Sequence, residues 1–443
     1  YLRERGRELA SVKATRRALL AAPGAISLAP DTIHNFQVLS NFTTGAFATV
    51  AARLVYSGTN LLLYVDTLSP SGFTPGELQA FGQYFDQTLW PIDTTAFGPP
   101  SDVDQNGHII MLMSRVVNAD TPSASCATRG YVAGFFNPED FNGPSDPHSN
   151  QGEIFYSVVP DPNGTFSCGH TVDDVGFAVP SVFVHELQHL ISFSQHVVVG
   201  GGQPEASWLD EGMSIAAEEL GSLYYEARCP PPACRTDPAQ LFPDSAQGFV
   251  QGFLYDSYQY GLLPDTASIT LESDDQPGDS WRGGAWLLVR WLVDQGGTAM
   301  YRKLELGPAG GVADIEQAAG QPFPALFADF GLALYTDSLP GLPRTTAPAA
   351  DRFTTRNLRQ LWARLFTTSG PSSNIPRAMP VALFAVTGDT STAVLYPGTV
   401  TYFRLDTPAS AAAVSVRFAA PGGQAFPATL KPELAVFRLP SGQ

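Results

Sequence analysis

At 443 residues, with 44% hydrophobic and 15% charged side chains, the chain has the composition of a folded protein of two or three domains, not of a disordered one. No run approaches the roughly 18–20 apolar residues that a transmembrane helix needs. A net charge of −17 disfavours nucleic acid and anionic lipid as partners, because both require a compensating basic surface.

The start of the chain runs against that balance. Arg3, Arg5, Arg7, Lys13, Arg16 and Arg17 against Glu4 and Glu8 leave +4 there and −21 on the remainder. Residues 1–30 are expected to form a basic helical segment, either packed on an acidic body or left from a pro-segment. They do not read as a secretory leader: Ala18-Leu19-Leu20-Ala21-Ala22 is shorter than the apolar core of about 7–15 residues such leaders carry. Four cysteines, an even and low number, predict two disulfides and an oxidising compartment. Cys229 and Cys234 flank a proline-rich loop that one bridge would staple, which leaves Cys126 for Cys168.

Phe36 to Leu39, Thr49 to Tyr56 and Asn60 to Asp66 read as strands, with a turn at Ser57-Gly58-Thr59-Asn60. Thr74-Pro75-Gly76-Glu77 is a capping box with proline at the first helical position, and Leu78, Phe81, Phe85 and Leu89 continue one face of that helix. Asp102-Val103-Asp104-Gln105-Asn106-Gly107 spaces oxygen ligands like the first half of an EF-hand loop, so calcium could bind Asp102, Asp104 and Asn106. Met113 stands where that loop carries its bidentate glutamate, and the segment reads equally as an Asn-Gly turn entering a strand.

Residues 135–178 are rich in Pro, Gly, Asn and Asp around a short strand, Glu153 to Tyr156. A strand just ahead of a metal-binding helix would form a cleft rim where extended peptide adds. A helix is predicted to begin near Pro180-Ser181 and another to run from about Leu209 to Leu220. Ala285 to Val293, with Trp286, Val289, Leu292 and Val293 as its apolar stripe, and Phe323 to Tyr335 read as packed core helices. From about Gly370 short alternating strands appear, at Val381 to Val386, Val400 to Leu405 and Val414 to Phe418.

The chemistry is concentrated in His185-Glu186-Leu187-Gln188-His189. Residues four apart share a helical face, so both histidines can point at one zinc ion, and Glu186 can take a proton from a water on that ion. In Trp208-Leu209-Asp210-Glu211-Gly212, Glu211 offers a third ligand. Three protein ligands leave a position for water, as catalytic rather than structural zinc sites do. Glu218, seven residues after Glu211, returns to the same face and either supports a ligand histidine or is a solvated helix carboxylate. A third histidine ligand in the extended motif would fall at Gln195; His196 is one residue late. The other histidines, including His170 beside Cys168, have no ligand spacing.

These blocks resemble the gluzincin peptidases, and within them the hyicolysin-like secreted bacterial metalloendopeptidases. Ser101 to Gly107 and Asn150 to Tyr156 are similar to that family too, and the resemblance spans about residues 30–340. It implies a zincin-like catalytic domain over residues 31–369, with a mixed sheet and active-site helices; the alternating strands beyond it read as a small β-sandwich-like domain over 370–443, so the chain is expected to be α+β. It also implies extracellular, possibly cell-surface-associated, cleavage of proteins by a monomer, with His185, His189 and Glu211 as zinc ligands and Glu186 as catalytic base. Asp210 departs from the asparagine often found before that glutamate. A larger departure is Trp281, which stands where related aminopeptidases place the tyrosine that stabilises the oxyanion; Tyr255, Tyr258, Tyr260 and His170 are the substitutes nearby. An aminopeptidase and a binding protein with a vestigial zinc site are the rival readings. The aminopeptidase lacks a Gly-x-Met-Glu-Asn-type amine anchor, and the intact zinc set opposes the other.

Overall fold

The computed structural model describes residues 32–70, 72–237, 240–271, 280–306, 309–342, 347–387, 391–406 and 413–438. The basic helix expected over residues 1–30 lies outside the described residues. The architecture is α+β, as the sequence predicts. Two compact units divide the chain. The first draws on Tyr1–Asp210, Ala217–Val250 and Tyr301–Gly310, the second on Glu211–Ala216, Gln251–Met300 and Gly311–Gln443.

The first unit is organised by a six-stranded sheet of order β1-β2-β3-β4-β6-β5. Antiparallel β1 (Ile33–Asn41), β2 (Ala46–Ser57) and β3 (Leu61–Asp66) make its first half. Val50, Ala52, Leu54 and Tyr56 of β2 are buried at the period of two expected for a sheet with one face in the core. β4 (Ile109–Met113) is buried at every residue, the continuous apolar run of a central parallel strand, and pairs in parallel with β3. Beyond it lies β6 (Ile154–Ser157), parallel to β4, and on the edge β5 (Gly134–Phe136), antiparallel to β6. The strand predicted as a cleft rim, at 153–156, is therefore an interior strand. The edge belongs to β5, which at three residues is too short for alternation to reveal.

Two helices of this unit start on capping boxes. α1 (Pro75–Tyr84) opens on the expected box, in which Glu77 N–H donates to Thr74 Oγ1 at 3.3 Å and Thr74 N–H to Glu77 Oε2 at 2.6 Å. It runs through a π-turn at Phe85–Leu89 into α2 (Trp90–Ala96). α3 (Val172–Phe193) begins well before Pro180, because Thr171 and Asp174 form a second capping box; the proline lies inside the helix instead of opening it. α4 (Ser207–Arg228) extends the predicted 209–220 helix at both ends. Cys126–Cys168 and Cys229–Cys234 both form.

In the second unit α5 (Ser280–Gly296) carries the core, with Trp286, Val289, Leu292 and Val293 buried as the stripe predicts. A Cβ at Gly212 would stand 2.9 Å from the carbonyl carbon of Ala285 and 3.0 Å from its oxygen, so the missing side chain lets two helix backbones meet. α6 (Phe323–Thr336) and α7 (Leu358–Ser369) follow, and Trp362 Nε1 donates to Ser257 Oγ at 3.1 Å. Past residue 370 the described residues hold β7 (Phe384–Ala385) and β8 (Phe403–Arg404), paired in parallel, and no strand over Val414 to Phe418. Phe384, Phe403, Val414, Val416 and Phe418 are exposed, from 39% at Phe418 to 55% at Val416, whereas Val381 is buried. Among the described residues no helix is long and apolar enough to cross a membrane.

Candidate metal centre

Helical geometry does what the four-residue spacing requires. His185 and His189 stand on one face of α3, with ring centroids 4.8 Å apart. A carboxylate from α4 meets the inner nitrogen of each ring: Glu218 Oε1 lies 2.8 Å from His185 Nδ1, and Asp210 Oδ2 lies 2.8 Å from His189 Nδ1. Each carboxylate accepts a hydrogen bond from Nδ1–H, which keeps the proton on Nδ1 and the lone pair on Nε2, the arrangement that orients a metal-ligating histidine. The two Nε2 atoms face each other at 3.2 Å. Glu211 completes the group, with one ligand atom from each of the three residues within 4.8 Å of the others. Asp210, Glu211 and Glu218 come from one helix, because a separation of seven or eight residues returns to nearly the same face.

Glu186 is 8% exposed, and its Cγ lies 3.7 Å from where a Cβ on Gly134 of β5 would stand, an ordinary contact distance that sets the strand beside it; the close approaches at Gly134 are Val182 Cγ1 at 2.4 Å and the Tyr156 carbonyl oxygen at 2.7 Å. Gln188, three residues after His185, is buried and donates to Glu305 Oε1 at 2.7 Å. Asp93 of α2 is fully buried; loss of water drives its carboxyl well above the usual range, and the nearby His185 imidazole opposes that only in part. Two His nitrogens and a carboxylate oxygen are the donor set of a catalytic zinc site, with both rings already held in the ligating orientation.

The remaining candidates separate by burial. His196 is completely buried, with Nε2 3.1 Å from the Leu304 carbonyl, and takes no part in the cluster. His170 is also buried, beside Cys168 Sγ and against the Tyr131 ring. Tyr258 is fully buried and donates its hydroxyl to the Arg377 carbonyl at 2.5 Å; Tyr260 is fully buried too, and the loss of water raises its hydroxyl far above the ordinary range. These two are packing residues. Tyr255 and Trp281 remain half-buried. Arg282 was missed by sequence reasoning, although it adjoins Trp281: its Nη2 lies 2.8 Å from Glu211 Oε2. Only the folded chain brings that residue to Glu211. Asp102 and Asp104 come together with Glu153, while Asn106 turns its amide to Asp104 Oδ2 at 2.6 Å and accepts from His108 N–H, within an Asn-Gly turn.

Comparison with known proteins agrees with this donor set. Over 181 residues the chain is 29% identical to the neutral metalloprotease ShpI of Staphylococcus hyicus. The chain is similar to a metalloprotease. The match covers 41% of this chain and 38% of that protein, so it spans about two fifths of its relative's length. No family model matches the chain.

Proposed function

We propose that the protein is a secreted zinc endopeptidase of the gluzincin type, with His185, His189 and Glu211 as metal ligands, Glu186 as general base, and residues 31–369 as a zincin-like catalytic domain. The convergence of two carboxylate-oriented imidazoles with Glu211 carries the reading. Similarity to a neutral metalloprotease and two disulfides support it.

A zinc ion held there would supply a Lewis acid and make water a nucleophile at neutral pH. Glu186, one residue from His185 on the same helix, takes the proton of the attacking water and passes it to the leaving amine. The edge strand β5 offers unpaired backbone groups beside Glu186, to which an extended protein substrate would add by strand pairing. Arg282 holds Glu211 in place and is a cation near the reacting carbonyl. Tyr255, half-buried where Tyr258 and Tyr260 are sealed, is the tyrosine best suited to donate to the oxyanion.

The test is Glu186→Gln. Casein digestion should fall by at least about a thousandfold while metal analysis still finds one zinc per chain. Digestion at the wild-type rate would refute the base assignment, and absence of stoichiometric zinc in the wild type would refute the metal site. Cleavage of N-blocked peptides as fast as free-amine peptides is expected of an endopeptidase.

A further inference from the structure

The loop before β4 and the residue before β6 come together away from the histidines. Asp104 and Glu153 are each 1% exposed, while Asp102 is exposed, and one ligand oxygen from each lies within 4.8 Å of the others. Glu153 Oε1 accepts from Ser101 Oγ at 2.7 Å and from Val103 N–H at 2.9 Å. Its second oxygen, Oε2, is buried with no hydrogen-bond partner. Among the described residues no lysine or arginine pairs with any of the three carboxylates; the arginine ion pairs lie elsewhere.

We propose that Asp102, Asp104 and Glu153 bind a calcium ion. The site answers the defect in the loop's sequence. A calcium loop of this spacing needs a carboxylate at the position Met113 occupies, and β4 buries that residue in the core. Glu153, just ahead of the neighbouring strand β6, brings one oxygen into the same group instead, and its Oε2 is buried without a hydrogen-bond partner. Three hard carboxylates suit calcium, which accepts irregular geometry, better than magnesium, which demands a near-ideal octahedron. Without a cation the cluster is costly. An unpaired buried polar atom loses its water with nothing in return.

The ion would also act on the helix that carries His185 and His189. Ser101 Oγ, bonded to Glu153, stands 3.0 Å from Ser194 Oγ, immediately past the end of α3. Calcium would thus clamp the loop, the start of β6 and the end of α3 together. The inference goes beyond the peptidase reading and uses none of its residues.

The experiment is a calorimetric calcium titration of zinc-loaded full-length protein on the Glu186→Gln background, with melting curves recorded in parallel. One saturable site with Kd of about 10⁻⁵–10⁻³ M and a rise in Tm is expected, with magnesium at least about tenfold weaker. Asp102→Asn, at an exposed position that leaves folding intact, and Glu153→Gln should each weaken calcium at least about tenfold. Absence of saturable binding and of any Tm shift up to about 10 mM calcium would overturn the proposal. So would wild-type affinity in both variants, or a Glu153→Gln protein that gains stability while calcium has no effect on the parent; the carboxyls would then be held as neutral acids.

Discussion

Removing the carboxylates behind the two histidines tests the proposed metal centre without touching a proposed ligand. Glu218→Ala deletes the acceptor 2.8 Å from His185 Nδ1, where both side chains are only about one tenth exposed, at 11% and 12%. Asp210→Ala deletes the acceptor 2.8 Å from His189 Nδ1, where the carboxylate is 27% exposed. A hydrogen bond to a charged partner is worth about 1.5–3 kcal/mol, and loss of a histidine's supporting carboxylate costs about 10–100-fold in metal affinity, or about 1.4–2.7 kcal/mol. Water can partly replace the more exposed Asp210, so Glu218→Ala should fall near the upper end and Asp210→Ala near the lower. Glu218→Gln keeps an acceptor but no charge and should recover part of the loss. Competition against a chromogenic zinc chelator gives the affinities, and circular dichroism checks that each variant folds. If both alanine variants bind zinc within about twofold of wild type, the oriented-imidazole reasoning is wrong.

Two further outcomes test the frame around the site. Gly212→Ala sets a methyl group against the Ala285 backbone at 2.9–3.0 Å, so overpacking of about 1–3 kcal/mol should exceed the helix-propensity gain of about 1 kcal/mol. Its Tm should fall and its zinc affinity weaken, because Glu211 is the adjacent residue; an unchanged Tm would contradict the close helix contact. Asp314 is 1% exposed, both its carboxylate oxygens lack partners among the described residues, and burial raises it from 3.8 to about 7. A carboxyl whose folded value lies above its unfolded value withdraws stability as pH rises from about 4 to about 7. Asp314→Asn should therefore raise Tm at pH 8 and change it little near pH 4; equal effects at both would remove the titration from the explanation.

The local chemistry of the site was legible in the sequence. A four-residue spacing on a helix, a glutamate on the next helix and the Thr74 capping box act over one or two turns, so residue order alone implies their geometry. The early start of α3 escaped because its capping box uses Asp174 instead of glutamate and because Pro180 drew the boundary forward. The β5 edge escaped because three residues carry too little alternation to register.

The sequence by itself determined the α+β class, the His185–His189 helix and the carboxylates available on α4. Tertiary structure alone decided which carboxylate meets which ring, that Arg282 reaches Glu211, that Tyr258 and Tyr260 are sealed in the core, and that Glu153 joins Asp102 and Asp104. The physical reason is range. Helical periodicity and capping follow from neighbouring residues, whereas a contact across strands or between helices depends on how the whole chain packs, and burial then sets which polar groups must find partners.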